Sequence, residues 1–198
     1  MKKENTKILD NGNVLVWGCE PDDYVDAPDS KDNQIRLAYS RTEFWNLAQD
    51  LFGEKAEESV NELVSGGLIH MTRPNRVVAG LEKYSHGRET LSLCTQGNFP
   101  DRMWDVSPIV GFVVLSGPEL RRIKKESKKA GEDYNCLLLE RMRSYIEEYN
   151  MYINGDVWVV DATLLSTEGK EIATDVLSGV WGDYEECEKM ALEMVGSL

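Results

Sequence analysis

The first apolar run of the chain is Val14–Gly18 (VLVWG), whose length and composition predict a strand. Gln34–Ser40 (QIRLAYS) alternates and predicts a second. Ser40 followed by Glu43 has capping-box spacing, and Phe44, Leu47, Ala48 and Leu51 recur at i, i+3, i+4, i+7. A helix is therefore expected there, ended by Gly53. A second helix, from about Glu54, carries Ala56, Val60, Leu63 and Val64 and stops at Gly66-Gly67. The following GLIHMTRPNRVVAGLEKY reads as two strands around a turn at Pro74-Asn75. Helix, helix and a two-stranded wing outline a winged helix. The second helix, however, carries four glutamates and one lysine, the wrong sign for a phosphate-lined groove. The outline is a possible shape without DNA reading.

In KYSHGRETLSLC (Lys83–Cys94), Leu91 and Leu93 alternate with polar neighbours, so a strand follows a Ser-His-Gly turn. Ile109–Ser116 (IVGFVVLS) is the most apolar segment and is expected as a central strand. Ser116, Pro118 and Glu119 form a second capping-box pattern that opens a basic helix. A long helix is expected over Asp133–Ile153, with a seam at Leu138, Met142, Tyr145, Tyr149 and Tyr152, ended by Asn154-Gly155. DVWVVDATLLS and KEIATDVLSGVWG then pair as a hairpin, and Trp158, Val160, Ala162 and Leu164 share one strand face. Asp183 and Glu186 cap a final helix whose Tyr184, Cys187, Ala191, Met194 and Val195 face inward. The fold class is α+β: a mixed or antiparallel sheet with packed helices, closing in a helix–β-hairpin–helix unit. The expected domains are 1–80, possibly winged-helix-like, and 81–198.

Charge changes this picture more than composition does. The 198 residues carry a net charge of −13, and from Gly131 onward fifteen acidic residues stand against four basic ones. Such a surface disfavours direct phosphate binding and favours solubility or a basic partner. The aspartates of Cys19–Asn33 lack the order of a calcium loop. No G-x-G-x-x-G, P-loop or zinc spacing is present, so no cofactor and no metal are expected. No run reaches membrane-spanning length, and no apolar segment follows the first lysines. The four cysteines form no C-x-x-C pair, so free thiols in a reducing cytoplasm are expected.

His86 could serve as a base, with Cys94 or Ser92 as nucleophile and Glu89 or Asp105 to orient it, but no nucleophile elbow accompanies it. A hairpin-tip histidine bonding local backbone is the plainer reading. His70 is expected in a half-buried strand with a structural role. Asp101 and Asp105 are a weak pair for two-metal chemistry. The helix LRRIKKESKKA holds six bases: Arg121, Arg122, Lys124, Lys125, Lys128 and Lys129. They are spread around much of the helix, as a solvated face, as partners for the acidic C-terminal residues, or as phosphate contacts. Trp45 and Trp104 are either core packing or interface anchors.

Four stretches, YSHGRETLSL, WDVSPIVGFVVLS, YNMYINGDVWVVDA and GVWGDYEE, occur in that order from about Glu82 to the last helix. In them the chain resembles uncharacterised phage- and plasmid-encoded accessory proteins, over somewhat more than half its length. The STEGKEIATD hairpin is a loose version of the family's pattern. The resemblance implies a mobile-element setting, where small acidic proteins are often counter-defence factors, anti-CRISPR or anti-restriction, occupying a nuclease's basic groove. The expectation is a non-enzymatic, protein-binding inhibitor of a host defence nuclease. Its contacts would be an acidic face, Asp183, Glu185 and Glu186, and a loop anchor, Trp104 and Asp105. The alternatives are a nucleic-acid-binding module using residues 121–129 and a hydrolase using His86.

Overall fold

The computed structural model describes residues 3–26, 28, 33–94 and 106–196. The fold is α+β, and every strand pairing described is antiparallel. The chain forms two compact units: residues 1–27 with 151–198 (unit 1), and residues 28–150 (unit 2).

Unit 1 contains β1 (Lys3–Ile8), β2 (Val14–Pro21), β8 (Val157–Leu165), β9 (Glu171–Trp181) and α5 (Tyr184–Gly196). The strands form a four-stranded sheet in the order β1-β2-β8-β9. Alternation puts Leu15, Trp17 and Cys19 of β2 on one face with Val160, Ala162 and Leu164 of β8. Against that face α5 lays Cys187, Ala191 and Val195, spaced at i, i+4 and i+8. Trp158 is half-buried beside this core, and its indole N–H donates to the Gly182 carbonyl at 2.9 Å. Asp183 begins α5, its Oδ1 accepting from the N–H groups of Glu185 (3.0 Å) and Glu186 (3.2 Å). The hairpin turn is closed by Ser166 and Gly169, as expected.

Unit 2 contains β3 (Asn33–Leu37), α1 (Arg41–Phe52), a short turn of 3₁₀ helix (Gly53–Lys55), α2 (Ala56–Val64), β4 (Leu68–Thr72), β5 (Asn75–His86), β6 (Arg88–Leu93), β7 (Val106–Ser116), α3 (Gly117–Ala130) and most of α4 (Tyr134–Ile153). Its sheet runs β3-β7-β5-β4, and β6 pairs the second half of β5. The β4–β5 hairpin is thus part of a five-stranded sheet, and β5 runs unbroken through residue 80. The sheet is buried on both faces. Val78, Phe112 and Val114 meet Phe44, Ala48 and Leu51 of α1 and Val60 and Leu63 of α2. Phe44 stacks on Phe112 with ring centroids 5.2 Å apart. The opposite parity, Val77, Ala79, Val113 and Leu115, is equally buried, and α3 packs on β5 and β7. This explains why IVGFVVLS is apolar without alternation. Gly111 is required at the β3 pairing, because a Cβ there would lie 2.1 Å from the Arg36 carbonyl oxygen.

The α1 box forms, with one shift. The Glu43 N–H donates to Ser40 Oγ (3.2 Å), while the Glu43 carboxylate accepts from the Tyr39 N–H (2.8 Å), one residue before the cap. Ser116 makes no such side-chain cap for α3. The α4 seam also differs from expectation. Leu138, Met142 and Ile146 are the buried positions, and Tyr145, Tyr149 and Tyr152 lie half-buried beside them. His70 is exposed on β4, because Ile69 and Met71 take the inward parity of that strand.

Candidate functional site

The turn that carries His86 is tight. His86 and Arg88 are paired across Gly87, whose φ of 80° favours glycine. From there the register separates the residues of the proposed dyad. Ser92 lies opposite Glu82, four pairs along the hairpin, about 14 Å away at strand rise. Cys94 lies further still, its N–H bonded to the Gly80 carbonyl at 2.9 Å, and it is buried. Glu89 pairs with Lys83 at 2.9 Å. The register therefore places Ser92 and Cys94 well along the hairpin from the turn at residues 86–88. Asp101, Trp104 and Asp105 lie outside the described residues. Trp45 is half-buried and packs edge-on against Phe44 at 5.6 Å, so it serves the core.

The basic helix is better organised than its sequence suggested. Its buried positions are Glu119, Leu120 and Ile123. At 100° per residue the six bases fall within an arc of about 160° opposite that stripe. All six are exposed. Among the described residues Lys124, Lys125, Lys128 and Lys129 enter no ion pair; Arg122 meets Glu119 at 3.1 Å. Lys128 and Lys129 lie in the last turn, where the helix dipole favours cations. The other four have no such support. Like charges crowd at i, i+3 (Arg121–Lys124, Arg122–Lys125, Lys125–Lys128) and i, i+4 (Arg121–Lys125, Lys124–Lys128, Lys125–Lys129), each costing about 0.2–0.5 kcal/mol.

Beneath this face lies a cluster that the capping pattern concealed. Glu119 turns inward, its side chain 3% exposed, and its Oε1 sits 2.9 Å from Arg141 of α4. The Tyr145 hydroxyl donates to the same carboxylate oxygen at 3.3 Å, and Arg141 reaches on to Glu126 at 3.1 Å. Burial is the largest single influence on the Arg141 guanidinium and would lower it, but Glu119, Tyr145 and Glu126 together outweigh burial and the group titrates above its ordinary value. Burial and then the Glu119 charge push the Tyr145 phenol up. The only sequence signal was a glutamate on the apolar stripe of a basic helix.

The acids are distributed by unit. Unit 1 holds 16 acidic and 5 basic residues, net −11; unit 2 holds 19 and 17, net −2. Of the expected acidic face, Asp183 caps α5, Glu186 pairs with Lys189 at 2.9 Å, and Glu185 is exposed. A cleft of about 410 Å³ in unit 1 is lined by Pro21, Asp22, Asp23, Tyr152 and Val157 among others. The Asp22 carboxylate there is engaged by the N–H groups of Tyr24 (3.1 Å) and Gly179 (2.9 Å). Among the described residues no group of three or more His, Cys, Asp or Glu is placed to hold a metal ion, and no helix is long and apolar enough to cross a membrane.

No protein-family model, no curated protein and no solved structure matches this chain.

Proposed function

We propose that this protein acts by binding, with unit 1 docking as a polyanionic body on a basic surface of a partner protein. The observation that supports this reading is the charge partition: unit 1 carries −11 of the total −13. A field of one sign on a compact unit steers association with an oppositely charged groove and raises the on-rate. The phage and plasmid resemblance supplies the setting. The partner is then a host defence nuclease, of CRISPR or restriction type, whose nucleic-acid groove the acidic unit would occupy. Glu185, exposed on α5, belongs to this surface, and Asp183 contributes its charge while capping the helix.

The test is inhibition of DNA cleavage by a panel of purified restriction and CRISPR effector nucleases. Inhibition of at least one is expected, weakening as salt rises from about 50 to 200 mM. Converting Glu168, Glu171, Asp175 and Glu185 to their amides should weaken it further. Inhibition indifferent to both salt and these four changes would sink the electrostatic reading, and no inhibition across the panel would sink the nuclease assignment.

A further inference from the structure

We propose that the outward face of α3 is a sequence-independent contact for the phosphate backbone of a nucleic-acid duplex. The proposal does not depend on the role given to unit 1. Arg121, Lys124 and Lys128 form one row on this face, and Arg122, Lys125 and Lys129 a second. Each row spans eight residues, about 10 Å at helical rise. A duplex presents one charge per about 3.4 Å along each strand, so a row of this length faces about three phosphates.

The composition of the face selects among polyanions. Four of its six cations are lysines, point charges suited to phosphate oxygens. No exposed residue of α3 is aromatic or carries a side-chain amide, so the face has neither a stacking platform for single-stranded bases nor a reader of adenine edges. A lipid surface fits poorly, because the apolar residues Leu120 and Ile123 are buried within unit 2 and leave no apolar face to insert.

Apart from Arg122, which meets the buried Glu119, the fold itself does not call for these charges. Gln and Glu support a helix about as well as Lys, and alternating signs would relieve the crowding along both rows. The dipole accounts for Lys128 and Lys129 alone. Unit 2, which carries this face, is close to neutral at −2, so its own net charge is no bar to the contact.

The test is fluorescence anisotropy of the whole protein with two labelled 24-bp duplexes of unrelated sequence. Salt is raised from about 50 to 200 mM. Equal binding of both duplexes is expected, with a log–log salt slope of about −3.5 to −5.5, as four to six phosphate contacts require. Lys124→Gln with Lys125→Gln should reduce the slope by about 2, at roughly 0.9 per contact. Lys170→Gln with Lys189→Gln, an equal charge change in unit 1, should leave it unchanged. Lys128→Gln with Lys129→Gln reads the same quantity should the first pair lower the melting temperature. Three results would overturn the proposal: no binding at the lowest salt, equal loss in the unit 1 pair, or poly-glutamate binding that the duplex cannot displace. The last would mark the face as a site for an acidic protein.

Discussion

The Arg141 guanidinium lies 2.9 Å from the Glu119 carboxylate, joining the middle of α4 to the first turn of α3. This contact fixes the rotation of α3, and with it the outward direction of all six bases. Arg141→Met should leave a buried carboxylate with only Arg122 and the Tyr145 hydroxyl. The expected loss is about 1.5–3 kcal/mol, read as a lower urea midpoint. Replacing Glu119 and Arg141 together by leucine should cost less than the sum of the two single changes, since neither charge is then left unpaired.

The Asn150 side chain performs a task usually left to a neighbouring strand. Its Oδ1 accepts from the Leu91 N–H (2.7 Å) and its Nδ2 donates to the Leu91 carbonyl (3.0 Å). Asn150→Ala should cost about 1–3 kcal/mol, because both groups are partly buried. Amide hydrogen exchange at Leu91 should quicken more than at Leu93. Asn150→Asp keeps the acceptor and loses the donor, and should fall between.

Burial, followed by the proximity of Cys19, pushes the Cys187 thiol up to about 12 from an ordinary 9.0. The folded state therefore holds a proton that the unfolded chain releases above about pH 9. Stability from this group is complete below that pH and is lost as pH rises toward about 12. The slope is at most about 1.4 kcal/mol per pH unit. Tyr145, also raised, acts in the same direction at higher pH. Comparing urea midpoints at pH 7 and about pH 10.5 should show a smaller alkaline decline in Cys187→Ala than in the parent.

Cys136 is the exposed thiol, while Cys19, Cys94 and Cys187 are buried. It should be the first to react with a thiol reagent in the folded protein. The charge of Asp133 is the main cause holding this thiol above its ordinary value. Asp133→Asn keeps an acceptor for the Cys136 N–H, now 3.0 Å from Asp133 Oδ1, and should speed labelling severalfold at pH 7. An unchanged labelling rate would contradict this cause.

Lys125 has like-charged neighbours at Arg121, Arg122, Lys128 and Lys129. Lys125→Gln should raise stability by about 0.5–1 kcal/mol as that repulsion is lifted. A thermal melt at low salt would show the gain, and about 0.5 M salt should erase it.

Local patterns were legible where no distant residue competed for the same group. The Ser40–Glu43 box, the Phe44–Leu51 stripe, the β4–β5 turn and the β8–β9 hairpin all depend on neighbours within a few positions. Ser116–Glu119 has the same spacing as Ser40–Glu43, yet Glu119 is drawn inward by Arg141, 22 residues later, a partner that no local motif discloses. The arc formed by the six bases emerged only once Glu119, Leu120 and Ile123 were known to be the buried stripe. For α4 the tyrosines suggested a seam one position away from the real one. Ile146 completes the i, i+4, i+8 row, and beside it the half-buried Tyr145 turns its hydroxyl to Glu119. Histidine, serine and cysteine near one another in sequence were separated by the rise of the very hairpin that holds them.

The pairing of β2 with β8 spans the 135 residues 22–156, so unit 2 is inserted between the two halves of unit 1. On the ribosome the β1–β2 hairpin emerges before unit 2, but its sheet neighbour and its covering helix emerge after it. At about 5–20 residues per second, Leu15 and Trp17 wait several seconds or more for their core, on a hairpin too small to be stable alone. Unit 2 has all its residues before that wait ends. A chain released between residues 131 and 156 would therefore carry the basic helix without the completed acidic unit.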